Sequence, residues 1–172
     1  MATALEGQRD GLRLGLKRLG RFRGSGFRNI VIGEVPDPIA FLTEVAAAFA
    51  TDRYLQTSLG KLIPMDLVVR FRVETAVETL AAAAEPFLDR IGSGTFFVRM
   101  ERRGLRHELH ASDTERAVGE RLVAALQARG HTPRVRFTDP DYVVIIESVG
   151  EEAGLALISR AIRATFPFVR VK

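Results

Sequence analysis

The chain has 172 residues, of which 47% are apolar and 27% charged, the balance of a folded globular protein of one domain or two small lobes. It contains no cysteine, which excludes disulfides, thiolate metal sites and a cysteine nucleophile. No apolar run approaches the ~20 residues of a membrane-spanning helix, so we expect a soluble, cytoplasmic protein.

Positive charge is concentrated at the start of the chain. The whole sequence has a net charge of +4, but residues 1–28 carry seven basic and two acidic side chains, or +5, which leaves −1 for the remainder. Glycine recurs through the same stretch, and each glycine costs about 1 kcal/mol relative to alanine inside a helix. The pattern predicts a flexible basic leader over residues 1–26. A weak amphipathic helix is the alternative, because Leu12, Leu16 and Leu19 have helical spacing.

Residues 27–62 predict a small lobe of strands and one helix. Residues 27–35 are typical of a strand, and Asp37 followed by Pro38 indicates a helix start. That helix should run to about residue 51, and the ambiguous stretch over residues 54–62 should form a short strand and a turn.

Beyond residue 62 helices and strands continue in mixed order. The alternation of residues 65–73 predicts a half-buried strand, and an alanine-rich helix over 75–90 should be kinked by Pro86. Ser112 and Glu115 have the spacing of a capping box that begins a helix ending near Arg129. Four more strands are predicted over residues 95–103, 134–137, 142–149 and 155–159. This order predicts an α+β fold with each sheet backed by helices on one side.

Signatures of catalysis are weak. His107 and His110 lack ligand partners at metal-site spacing, and the Asp139-Pro-Asp141 sequence is more typical of a turn than of acid–base chemistry. No nucleophile, base and orienting group stand together in the sequence. We therefore expect a protein that is not an enzyme and that uses neither metal nor cofactor.

Arginine at alternate strand positions is the more informative pattern. If helices cover the apolar face of the sheet, these side chains should line the other face, with a phenylalanine beside them, and hold nucleic-acid phosphates and stack a base. The candidate nucleic-acid-binding residues are Arg70, Arg72, Phe97, Arg99, Arg102, Arg103, Arg106, Arg134 and Arg136. The alternative is a solvated sheet face that is neutralised by Glu101, Glu108 and Glu147.

Three segments resemble a known family in their order and spacing. They are GTFFVRMERRG (94–104), SDTERAVGERLVAAL (112–126) and VRFTDPDYVVIIESVG (135–150). A strand ending in basic residues, a serine-led helix with a central glycine, and a DPD-like turn before a long apolar strand resemble the THUMP domain. The resemblance covers roughly residues 63–160.

The resemblance implies both a fold and a function. It implies an N-terminal ferredoxin-like lobe, placed at residues 27–62, followed by a THUMP domain at 63–172 with a mixed sheet backed by two helices. In THUMP proteins this pair grips the tRNA acceptor stem and 3′ end, and a separate catalytic part modifies the RNA. The chain is most similar to the adaptors of tRNA cytidine acetylation, which implies a non-catalytic module that presents tRNA to a separate enzyme. The alternatives are a stand-alone RNA-modifying enzyme and a ferredoxin-like interaction domain without an RNA role.

Overall fold

The computed structural model describes residues 1–171 and confirms the α+β class. Two compact units make up the chain: Met1–Met65 together with the segment that begins at Arg163, and Asp66–Ile162. The sequence placed a boundary near residue 62 and assigned everything after it to one domain. The structure differs, because the last residues return to the first unit, where the Leu62 N–H donates to the Phe168 carbonyl at 2.9 Å.

The elements of the first unit are β1 (Ala2–Ala4), α1 (Arg9–Leu16), β2 (Arg21–Gly24), β3 (Ile30–Glu34), α2 (Pro38–Phe49), α3 (Arg53–Ser58) and β4 (Leu59–Leu62). Its four strands form an antiparallel sheet with the order β2-β3-β1-β4. A β-α-β-β-α-β order with this arrangement of strands is ferredoxin-like. The lobe therefore begins at the start of the described chain rather than at residue 27.

Residues 1–26 are an integral part of this unit, and the prediction of a flexible leader is wrong. β1 pairs with both β3 and β4, and Leu12 and Leu16 of α1 are fully buried. The glycines permit close packing of helices: a Cβ on Gly15 would lie 2.8 Å from the side chain of Leu55 on α3. The local cost of glycine in a helix is thus offset by tertiary contacts that a larger residue would prevent.

Aspartate caps begin two helices of the first unit. The Asp37 carboxylate accepts from the N–H groups of Ile39 and Ala40 at 2.8 and 3.0 Å, which confirms the predicted helix start. Asp52 does the same for α3, a helix that the sequence did not predict, whereas the short strand predicted within residues 54–62 is present as β4.

The elements of the second unit are β5 (Leu67–Arg70), α4 (Ala76–Ala83), α5 (Leu88–Ile91), β6 (Thr95–Arg103), α6 (Ala111–Ala128), β7 (Arg134–Val135), β8 (Tyr142–Val149), β9 (Glu152–Ser159) and α7 (Arg160–Thr165), of which α7 spans the boundary between the units. Its five strands form a mixed sheet with the order β5-β9-β8-β6-β7. β6 is parallel to β7 and β8, whereas β9 is antiparallel to β8 and β5.

The core of the second unit lies between the sheet and helices α4 and α6. Alternate residues of β6 face it, and α6 contributes residues at helical spacing. Its largest fully buried side chains are Phe96, Leu80, Leu88, Leu122, Leu126 and Ile146. Pro86 divides the alanine-rich helix as predicted, since a 3-10 turn over Glu85–Phe87 separates α4 from α5.

The predicted capping box is absent at the start of α6. The helix begins at Ala111 with His110 at the N-cap position, so Ser112 and Glu115 both lie inside the helix. Glu115 instead accepts from the Met100 N–H on the free edge of β6, at 2.7 Å. Leaving a strand N–H without a partner costs more free energy than leaving uncapped a helix end that water can reach.

Among the described residues, no helix combines the length and apolarity that crossing a membrane requires.

Candidate nucleic-acid interface

The face of the five-stranded sheet opposite helices α4 and α6 is less exposed to solvent than the sequence predicted. Phe97, Arg99 and Arg103 do alternate onto the side of β6 opposite the helices. Their neighbours on that face are buried, however, including Ile145 of β8 and Ile158 of β9. The arginines therefore do not line an open, solvated sheet surface, and the nine predicted residues divide into four groups.

Arg103 is bound by carboxylates rather than displayed to a ligand. Its guanidinium donates to Glu147 at 2.9 Å and to Glu101 at 3.1 Å, and its side chain is 14% exposed. Glu147 is itself 1% exposed, so the arginine neutralises a buried acid. Two of the three glutamates considered as neutralising groups thus occupy Arg103.

Arg102 and Arg106 lie at the carboxyl end of β6. Arg102 alternates to the opposite side of the strand from Arg103, and its guanidinium donates to the Gly104 carbonyl at 3.3 Å. Arg106 is exposed in the following turn. Arg102 and Arg106 therefore lie at the end of the sheet and not on the face opposite the helices.

Arg70 and Arg72 lie at the opposite edge of the sheet. β9 and β8 separate β5 from β6, which puts β5 roughly 14 Å from β6 at ordinary strand spacing. Arg70 donates to Glu152 at 2.9 Å. Both arginines line a surface cleft to which Glu151 and Glu152 also contribute. This group is locally balanced in charge and separate from the rest.

The remaining group forms what we call the β7 edge surface: Phe97, Arg99, Arg134, Arg136 and Phe137. The Phe97 and Phe137 rings lie with their centroids 5.5 Å apart, and the Arg99 guanidinium lies 5.5 Å from the Phe97 ring centroid. Within residues 1–171, Arg134 and Arg136 are exposed and make no ion pair, while Arg99 lies 3.5 Å from Glu115. Arg99 thus lies beside an aromatic pair and shares Glu115, and two exposed arginines precede Phe137 in the chain.

Phe137 is the residue of this surface that sequence reasoning missed. The sequence assigned base stacking to Phe97, but Phe97 is 7% exposed and supports the ring of Phe137, which is 72% exposed. β7 ends at Val135, so Phe137 follows the strand instead of packing within it. The signal was present in the run Arg134-Val-Arg-Phe137, where apolar residues alternate with arginines in a segment rich in turn formers.

The Asp139-Pro-Asp141 segment fixes the position of this edge. Asp141 Oδ2 accepts from both the N–H and the hydroxyl of Thr95, at 2.8 and 2.6 Å. These hydrogen bonds, and the nearby guanidinium groups of Arg160 and Arg136, lower the pKa of Asp141 below its ordinary value. Arg160 also donates to Asp139 at 3.1 Å, so the turn is tied to the strand ends that hold β7. The segment has the structural role that its sequence predicted.

Within the described residues 1–171, no three His, Asp or Glu side chains converge. His107 and His110, the pair considered in the sequence, are exposed around the turn before α6. The β7 edge surface instead offers guanidinium donors, which match phosphate oxygens, beside an exposed ring, which matches a base.

Comparison with solved structures supports the fold of both units. The chain is similar to TrmN from Thermus thermophilus (24% identity, TM-score 0.62), to PH1313 from Pyrococcus horikoshii Ot3 (15%, 0.57) and to a 4-thiouridine synthetase in complex with RNA and ATP (14%, 0.51). These matches cover 91%, 88% and 90% of this chain but 43%, 49% and 38% of the others. The chain thus spans less than half the length of each of the three.

A comparison with curated proteins finds no match. A comparison with family models matches residues 73–157 to the THUMP domain. The matched range runs from the turn after β5 into β9, and so includes the β7 edge surface and the Asp141 turn. The chain therefore contains a THUMP domain, as its sequence motifs predicted.

Proposed function

We propose that this chain is a non-catalytic RNA-binding module that holds the acceptor stem and 3′ end of tRNA through its β7 edge surface. A THUMP domain implies RNA binding. The observation that carries the choice of surface is the exposed ring of Phe137, which packs on Phe97 beside Arg99 and follows the exposed Arg134 and Arg136 in the chain. A separate enzyme would then modify the RNA that the module presents.

Phosphates and unpaired bases are the RNA groups that the β7 edge surface can bind. The two exposed guanidinium groups of Arg134 and Arg136 attract phosphates, and each phosphate they neutralise releases a counter-ion from the RNA. A base stacked on an aromatic side chain gains about 1–3 kcal/mol. Double-stranded RNA keeps its bases stacked internally, so Phe137 favours an unpaired end, whereas the arginines accept either form.

The similar structures favour RNA modification as the setting. One of them is a 4-thiouridine synthetase in complex with RNA and ATP, more than twice as long as the part that this chain matches. The non-catalytic role rests on the sequence, which lacks a nucleophile, base and orienting group at workable spacing. A role as an RNA-modifying enzyme is the competing function.

The test is a binding titration with two forms of one tRNA, complete and lacking its 3′ single-stranded end. We expect the complete tRNA to bind at least 5-fold more tightly, the lower bound for one stacked base. Equal affinity for the two forms would contradict binding of the 3′ end. Turnover of either tRNA by the purified chain, supplied with the donor substrates of known tRNA modifications, would contradict the non-catalytic role.

A further inference from the structure

A second candidate site lies in the first unit, in a cleft of about 440 Å³ between the end of α1 and the start of α3. Its lining includes Leu14, Lys17, Arg18, Asp52, Arg53 and Tyr54. The helices are held together beside it by the close approach of Gly15 to Leu55, so the walls belong to one packed pair of helices.

The cleft is strongly positive. Lys17, Arg18 and Arg53 are exposed, and none of them forms an ion pair within residues 1–171. Asp52, which also lines the cleft, uses its Oδ1 to accept the N–H groups of Tyr54 and Leu55. The sequence of the first unit contains twelve basic and six acidic side chains, a net charge of +6, whereas the second has thirteen and fifteen, or −2. The surrounding field thus favours an anion at the cleft.

An apolar surface accompanies these cations. Tyr54 is 55% exposed and Leu14 is 53% exposed, and both side chains line the cleft. A phosphate alone would bind to the cations and make no use of the Tyr54 ring. A nucleotide uses both, because its base can stack on the phenol ring while its phosphate meets the cations. The cleft volume lies within the range of small-ligand sites, roughly 300–1,000 Å³.

We propose that this cleft binds one nucleotide of an RNA strand, with the base on Tyr54 and the phosphate among Lys17, Arg18 and Arg53. The inference rests on the proposed function, since it takes RNA as the ligand, but it uses a different unit of the chain. It assigns Lys17 and Arg18, from the basic start of the sequence, to a defined contact.

Tyrosine fluorescence provides a direct measurement. The sequence has no tryptophan and two tyrosines, Tyr54 and Tyr142, so the Tyr142→Phe variant of the full chain reports on Tyr54. We expect a decamer of adenylate to quench its emission saturably and AMP to do so with at least 10-fold weaker affinity. In the same background, Lys17→Ala, Arg18→Ala and Arg53→Ala should each weaken binding and lower the salt slope by about one. Arg28→Ala is the matched control, because Arg28 is exposed in the same unit but pairs with Glu6 at 2.9 Å.

The outcomes separate this inference from the proposed function. Unquenched Tyr54 emission, or cleft variants with the salt slope of the control, would overturn the cleft as a site. A decamer that binds no better than AMP would overturn RNA as its ligand. If variants at Phe137 and Arg136 lose RNA affinity while the cleft variants keep it, the inference fails and the proposed function stands. If only the cleft variants lose affinity, the cleft is supported and the β7 edge surface is overturned.

Discussion

Asp141 and Thr95 exchange three hydrogen bonds across the start of two neighbouring parallel strands. The Thr95 N–H and hydroxyl both donate to Asp141 Oδ2, and the Asp141 N–H donates to Thr95 Oγ1 at 2.8 Å. Because β6 and β8 are parallel, no hairpin connects them, and a direct link between their first residues fixes their register. The β7 edge surface is attached to the same end of β6.

The first prediction concerns the pH dependence of stability at this link. The pKa of Asp141 is lower in the folded protein than in the unfolded chain, so its contribution is fully present above the unfolded value near 3.8 and is lost as pH falls through the folded one. Denaturant unfolding should show Asp141→Asn less stable than wild type at pH 7, with the difference shrinking below pH 4. Asp113→Asn, at an exposed ion pair, is the control. A difference that is independent of pH would contradict this account.

The second prediction concerns Gly15. Alanine would gain about 1 kcal/mol in helix propensity, but overpacking against Leu55 costs about 1–3 kcal/mol. We expect Gly15→Ala to lower the free energy of unfolding, whereas Gly24→Ala should not, because a Cβ there meets nothing within 4 Å. Thermal unfolding of both variants measures the difference. A Gly15→Ala protein as stable as wild type would mean that α1 shifts freely against α3.

The third prediction concerns Arg103. Removing its guanidinium takes a partner from buried Glu147, which should cost on the order of 3 kcal/mol. Arg106→Ala, at an exposed arginine of the same strand end, should change the free energy of unfolding by under about 0.5 kcal/mol. Equilibrium unfolding in urea compares the two. Loss of RNA affinity in Arg103→Ala without loss of stability would instead restore this residue to the binding site.

The fourth prediction concerns the β7 edge surface. Phe137→Ala should weaken binding of single-stranded RNA by about 1–3 kcal/mol and leave stability unchanged, since the ring is exposed. Arg134→Ala and Arg136→Ala should each lower the salt slope by about one.

The matched control for these variants is Arg121→Ala. Arg121 lies on α6 in an exposed ion pair with Glu78, so its removal should leave RNA affinity unchanged. Salt-dependent titration with one oligonucleotide tests all four proteins. Wild-type affinity in Phe137→Ala would remove the stacking role of this surface.

Sequence reasoning succeeded where one local pattern determined one element. β6 and β8 have the predicted bounds, because each is a long apolar or alternating run between turn signals. Asp37 and Pro86 act as predicted, since capping and the lost N–H of proline depend on neighbouring residues alone.

It failed where a residue is used by a distant part of the chain. Gly15 has the local properties of a flexible segment, yet its hydrogen side chain is what lets Leu55 approach. Glu115 has the spacing of a capping box, yet it satisfies a strand edge fifteen residues earlier. Arg103 has the alternation of an exposed face, yet Glu147 lies within reach in the neighbouring strand. No pattern within a single element contains these partners.

The return of the last residues to the first unit has a consequence for synthesis on the ribosome. Residues 66–162 are contiguous, so the second unit is complete as soon as Ile162 has left the exit tunnel. The first unit, although most of it is made earlier, lacks buried Phe166 and Phe168 until those residues have also left the tunnel. The part translated first is therefore the part that finishes folding last, and stalled or truncated products expose its unfilled core.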